Sequence, residues 1–224
     1  MKRGLIWICL LLLLLCLLVP RQTVEGFSDG GPTFHILIAT GGRPSLKNLL
    51  DSLKDELTEH DAITVVFDGP EAKGKSTYED SWAEGHRAKL TIIEQNPNLG
   101  FWGHGIRNKY QGILEPKTTF LMNADDDDIY LEGAFDKLRR LCTKSDTLYI
   151  AKMDYENIPG KQVPSQMKKI VLGDIGTPNG IIPMGVAAKG EWGHKYGGDF
   201  MYYDSLVKAG VPYEFLDLTM YRVF

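Results

Sequence analysis

Cysteine is scarce in this chain, with three among 224 residues. Cys9 and Cys16 fall inside an N-terminal apolar run, which leaves Cys142 alone in the remainder. One cysteine cannot build a disulfide framework within a chain, so cysteine usage says nothing of the compartment. There is no N-x-[ST] glycosylation acceptor. An excess of basic charge is also missing: 25 Lys and Arg stand against 29 Asp and Glu, a formal net charge of -4. That balance excludes the basic footprint of a nucleic-acid-binding domain. It points to a small partner, and an anionic one must be met by local positive charge or by a metal. No internal repeat is present, and no second linker follows residue 33.

The N-terminus differs from the rest. Met1-Lys2-Arg3 precedes an uncharged apolar run from Gly4 to Val19. The run is slightly short for a spanning helix, which needs about 20 residues, and slightly long for a signal-peptide core. Pro20-Arg21-Gln22 follows, without a small-residue cleavage site. Residues 1–20 therefore read as a membrane anchor, with the main domain on the non-cytoplasmic side; a cleaved signal, and hence secretion, is the alternative. Residues 21–33, polar and glycine-rich, read as a linker, and residues 34–224 as one domain.

Within that domain strands and helices alternate. FHILIAT (Phe34 to Thr40), AITVVFDG (Ala62 to Gly69), LTIIEQ (Leu90 to Gln95) and TTFLMNA (Thr118 to Ala124) are short apolar runs of the kind buried strands show. Between them, Leu46, Leu49, Leu50, Leu53 and Leu57 recur at helical spacing, as do Ile106, Tyr110 and Ile113, and after the fourth strand Leu131, Phe135, Leu138 and Leu141. The expectation is an α/β, Rossmann-like domain with a mainly parallel sheet and helices on both faces. From Tyr149 onward the pattern mixes short strands with glycine-rich loops.

Ligands of open parallel sheets bind beyond the carboxyl ends of the strands. Here those ends carry Thr40-Gly41-Gly42-Arg43, then Asp68, then four consecutive aspartates, Asp125 to Asp128. Neighbouring unit charges about 4 Å apart repel by roughly 1 kcal/mol even in water, so the aspartates need an offset. Alternation along an extended segment would aim Asp125 and Asp127 at one site, where they suit a hard divalent cation; Asp128 would cap the following helix. A second cluster, NPNLGFWGHGIRNKY, places Trp102 in a glycine-rich loop, with Arg107 and Asn108 near a helix start able to serve a phosphate or sugar hydroxyl. A third, GEWGHKYGGDFMYYDSL, sets aromatics including Trp192 around His194 and Asp199, a pattern that fits a sugar ring beside a general base.

The order TGGRP, Asp68, NLGFWGHGIRN, NADDDD and GGD resembles the GT-A glycosyltransferases, particularly glycosyltransferase family 2 and the related domain of algal-virus capsid glycosyltransferases. The resemblance runs from Phe34 to Phe224. It implies transfer of a hexosyl or deoxyhexosyl group from a nucleotide-diphosphate sugar, commonly UDP-linked, to a glycan or glycoprotein hydroxyl, with Mn2+ or Mg2+. The Asp-x-Asp motif falls on Asp125 to Asp127. Asp127 would ligate the metal, Asp125 the metal or ribose, and Asp126 would belong to the donor site. Thr40 and Arg43 match the nucleotide-holding loop, Asp68 the residue that meets the base, and Arg107 and Asn108 the family's arginine-asparagine pair. Asp199 matches the catalytic base of inverting members, although family 2 often has Glu-Asp where this chain has Gly198-Asp199. Trp102, Trp192 and His194 would contact acceptor or sugar. The Gln-x-x-Arg-Trp signature of processive enzymes is absent.

Two other readings share some of these features. A sugar-phosphate nucleotidyltransferase also needs a metal and a diphosphate, but its basic glycine-rich loop is longer than TGGRP. A non-catalytic Ca2+-dependent binding module would use the acidic cluster, yet EF-hand spacing does not follow Asp125.

Overall fold

Strand β1 (Phe34–Thr40) is buried along its whole length, and its two faces organise the molecule. In the computed structural model, which describes residues 31–224, Phe34, Ile36 and Ile38 pack into one core and Leu37 and Ala39 into another on the opposite side. This is the period-2 alternation of a strand covered on both faces. The proposed anchor and nearly all of the linker lie outside the described residues. Among the described residues no helix is long and apolar enough to cross a membrane.

After β1 the chain forms α1 (Leu46–Leu53), β2 (Ala62–Asp68), α2 (Pro70–Lys75), β3 (Lys89–Gln95), α3 (His104–Tyr110) and β4 (Phe120–Asp125). β3, β2, β1 and β4 lie side by side and parallel, the arrangement that strand-helix-strand crossovers give. Leu46, Leu49, Leu50 and Leu53 of α1 fill the first core, together with Ala134, Phe135 and Leu138 of α4 (Ala134–Leu141). Ile106 and Tyr110 of α3, with Tyr202, Tyr203 and Leu206 of α5 (Gly198–Lys208), fill the second. Of the residues assigned to helical stripes, Leu57, Ile113 and Leu131 lie outside the helices themselves, and Ile113 and Leu141, the last residue of α4, are exposed.

Beyond β4 the sheet stops being uniformly parallel. Its order is β3-β2-β1-β4-β8-β6-β9-β5, where β5 is Ile129–Tyr130, β6 Leu148–Tyr155, β8 Gly180–Pro183 and β9 Tyr213–Val223; β7 (Gln162–Val163) pairs with β6. β8 runs antiparallel to both β4 and β6, and only β6 with β9 returns to parallel pairing. β6 and β8 are joined without an intervening α-helix, which an antiparallel neighbour permits and a parallel one does not.

Candidate active site

Regular strand geometry ends at Asp125, and Asp126 and Asp127 form a turn. The expected alternation therefore does not extend through the cluster. Asp125, Asp126 and Asp127 all line one cavity of about 390 Å³, together with Thr40, Arg43 and Asp68. The Thr40 hydroxyl donates to Asp126 Oδ2 at 2.5 Å while accepting the Gly42 N–H at 2.9 Å. The Arg43 guanidinium donates to Asp126 Oδ1 at 3.2 Å and pairs with Asp127 as well. From beneath, Arg107 Nη2 donates to Asp125 Oδ1 at 2.5 Å. Two arginines are thus the protein's own answer to the clustered charge. Burial nevertheless holds the Asp126 carboxyl above its ordinary range, against the pull of Thr40 and Arg43.

Asp128 does not cap a helix. It is 5% exposed, turned away from the cavity, and accepts the Phe224 N–H at 3.2 Å. Burial, reinforced by the other aspartates, pushes its carboxyl up to about 7. The cap of α4 comes from a residue far away in sequence: Glu56 accepts the N–H groups of Gly133 at 2.6 Å and Phe135 at 3.0 Å.

The second wall of the cavity is the loop after β3. Asp68, at the end of β2, accepts the N–H groups of Leu99 and Gly100 at 2.7 and 2.8 Å, and its own carbonyl accepts from Asn98 Nδ2 at 2.8 Å. Asp68 therefore shapes the loop while still facing the cavity. The four residues Gly100 to Gly103 all have left-handed backbones, with φ of 66°, 58°, 53° and 81°. For Phe101 and Trp102 this conformation costs roughly 1–2 kcal/mol each, and strain of this kind is concentrated at functional sites. It projects Trp102, 75% exposed, over the cavity mouth.

Several sequence-assigned residues lie under the site rather than in it. Arg107 is fully buried, held by Asp125, by the Trp102 carbonyl at 2.9 Å, and with its guanidinium 5.1 Å from the centre of the Trp192 ring. Asn108 spends both amide atoms on the backbone of Trp192, donating at 2.9 Å and accepting at 2.8 Å. Trp192 is itself core: it is 1% exposed, stacks on Tyr202 at 4.4 Å and donates from Nε1 to Gln111. A buried indole cannot meet an acceptor, so that assignment is corrected; Arg107 and Asn108 are corrected to positioning roles for Asp125 and the Trp192 segment. His194 is exposed and stacks on Phe101 at 4.0 Å, and it lines neither this cavity nor its neighbour.

The neighbouring cavity, about 290 Å³, contains Asp199. Asp199 stands in the first turn of α5, where its Oδ1 accepts the Phe200 N–H at 2.7 Å. Burial pushes its carboxyl up, with the Asp125 charge acting in the same direction. Tyr155, Lys195 and Tyr196, the last 82% exposed, complete the polar and aromatic lining. Trp102 and His104 line both cavities and form the partition between them. His104 and Asn98 were not singled out by sequence, whereas Tyr196 belongs to the aromatic group read around His194 and Asp199. His104 had a signal, a polar ring flanked by two glycines in the loop after β3.

The strand order, the acidic turn after β4 and the paired cavities at the carboxyl ends of the parallel strands define a GT-A fold. No family model matches the chain, and no curated protein matches it. Solved structures are similar to it. S. aureus TarS 1-349 has a TM-score of 0.63 at 15% identity, over 85% of this chain and 60% of that one. The same protein in complex with UDP-GlcNAc gives a TM-score of 0.58 at 15% identity, over 85% and 58%. The mannosyltransferase PcManGT from Pyrobaculum calidifontis, in complex with GDP-Man and Mn2+, gives 0.59 at 13% identity, over 87% and 57%. The chain thus spans about three fifths of the length of these neighbours.

Proposed function

We propose that the domain is a glycosyltransferase that moves a sugar from a nucleotide-diphosphate donor to an acceptor hydroxyl, inverting the anomeric centre and adding one residue at a time. The observation that carries this reading is the pair of abutting cavities, one walled by Asp125, Asp126, Asp127, Thr40, Arg43 and Asp68, the other holding Asp199. The neighbours solved with UDP-GlcNAc and with GDP-Man and Mn2+ support it.

Among the described residues no group of three or more His, Cys, Asp or Glu is arranged to hold a metal ion. The donor set still fits a hard divalent cation, because such ions commonly take only one or two protein carboxylates and complete their shell with water and phosphate oxygens. Asp127, with its side chain 48% exposed, and Asp125 would hold it. When bound, the ion would neutralise charge on the departing diphosphate.

The protein's own residues supply the rest. Arg43, largely exposed and paired with Asp127, can turn to the diphosphate once that carboxylate is otherwise engaged. Asp68 and Asn98 border the space for the nucleoside. Asp199 takes the proton of the acceptor hydroxyl as its oxygen bonds to the anomeric carbon and the bond to the diphosphate breaks. A carboxyl lifted by burial is the better base for that step. Attachment to a membrane through residues 1–20, facing the non-cytoplasmic side, belongs to the same reading and rests on sequence.

The test is thermal denaturation of the detergent-solubilised full chain with UDP, GDP and their sugars, in Mn2+ and in EDTA. At a ligand concentration of 100 times Kd the midpoint should rise by about 5–10 °C, and EDTA or Asp127→Ala should abolish the rise. No response to any nucleotide, with Ca2+ alone stabilising, would replace this reading with the metal-binding module.

A further inference from the structure

His104 stands where the two cavities meet, and its ring is held by a hydrogen bond at Nδ1 and by contacts with Trp192, Trp102 and Gly198. Nδ1 lies 2.7 Å from the Gly193 carbonyl oxygen. A carbonyl only accepts, so Nδ1 carries the proton and the neutral ring leaves its lone pair on Nε2. The ring lies 5.4 Å from that of Trp192 and 6.3 Å from that of Trp102. It also rests against the backbone of Gly198: a Cβ there would fall 2.5 Å from His104 Cε1, so only glycine permits the approach. That contact sets His104 directly beside the residue preceding Asp199. Burial and the adjacent Arg107 charge keep the ring neutral. Among the described residues Nε2 has no hydrogen-bond partner.

A fixed acceptor atom without a protein partner, at the junction of a donor and an acceptor cavity, is suited to a hydroxyl group. We propose that His104 is a specificity-determining residue whose Nε2 accepts a hydrogen bond from a hydroxyl of the sugar in transit. The inference rests on the transferase reading and adds to it the group that inspects the sugar rather than the nucleotide. A site built to bond a particular hydroxyl rejects sugars that lack it more strongly than an apolar pocket would.

The test separates nucleotide from sugar. Dissociation constants of the full chain are measured by calorimetry in Mn2+ for UDP, UDP-N-acetylglucosamine, UDP-glucose, UDP-galactose, GDP and GDP-mannose. His104→Asn places an amide where Nδ1 was, preserving donation to Gly193 while deleting Nε2. The expected result is an unchanged affinity for the bare nucleotide and a fall of about tenfold in affinity for the preferred sugar donor relative to it. An unchanged ratio, or equal loss of nucleotide and sugar donor, overturns the inference. In the wild-type chain, histidine ¹⁵N NMR provides a readout independent of any variant. The unprotonated nitrogen of His104 should shift with the sugar donor and not with the bare nucleotide, and absence of that difference also overturns it. If no nucleotide binds the wild-type chain at all, the transferase reading fails first, and that result is distinct from either.

Discussion

Asp199 and Asp127 are both carboxylates at one crevice, yet their surroundings differ, and the proposed transfer gives them different work. Asp127 is half-exposed and paired with the largely exposed Arg43 side chain, which leaves its carboxylate within reach of a cation entering the cavity. Asp199 is held by burial above the ordinary carboxylate range, which favours proton uptake. Asp199→Asn should therefore lower kcat by roughly 10²-fold or more while leaving donor affinity unchanged, as measured by steady-state kinetics beside calorimetry. In the wild type, activity should fall with acidification from a pH above that of an ordinary aspartate, since the base is lost as it protonates. At this scale the reading from sequence was uneven. Thr40, Arg43, Asp68, Asp125, Asp126 and Asp127 line the first cavity, because strand ends mark the crevice in any parallel sheet, and Asp199 lines the second from the first turn of α5. Trp192 and Asn108 do not, because an aromatic and an amide look alike in sequence whether they meet solvent or one another.

Elements are held at their ends by residues that no local pattern reveals. Helix α4 starts at Gly133, whose φ of 71° breaks the chain into the helix, and its first N–H groups are taken by Glu56 from the segment after α1. Glu56→Ala should destabilise the domain by about 1–2 kcal/mol, read as a lower urea midpoint with the m-value unchanged. Similarly, the Tyr221 hydroxyl of β9 donates to the Asp125 carbonyl and accepts its N–H, each at 3.1 Å, so the late strand β9 steadies an aspartate of the cavity wall. Tyr203 of α5 likewise donates to Thr177 at 2.6 Å and accepts from Gly180 at 3.1 Å. The irregular C-terminal third is therefore the frame for the site rather than an appendage to it.

For the whole molecule the acidic cluster is a cost as well as a tool. The Asp128 carboxyl titrates at about 7 in the fold, well above its ordinary value of 3.8. A raised carboxyl means the folded state binds more protons than the unfolded chain, so stability falls as pH rises from about 4 to about 7. In EDTA, Asp128→Asn should stabilise the chain at pH 8 by up to about 4 kcal/mol and have little effect at pH 4. Urea unfolding at the two pH values checks this, and equal effects at both would contradict it. The Asn Oδ1 keeps the bond from Phe224, so the comparison isolates charge.

By itself the sequence determined much of the first half of the domain: four strands, the helices that follow β1 and β3, and the crevice edge where the strands end. It did not announce the short polar α2, which has no apolar stripe. Apolar periodicity and strand-terminal residues are local properties, readable within ten or so positions. Tertiary structure alone decided the rest. It turned β8 antiparallel, joined Arg43 to Asp127 across 84 positions, sank Trp192 into the core and set His104 against Gly198. Those outcomes depend on which distant side chains compete for the same buried space and the same charge, and neither competition is written in any short stretch of chain.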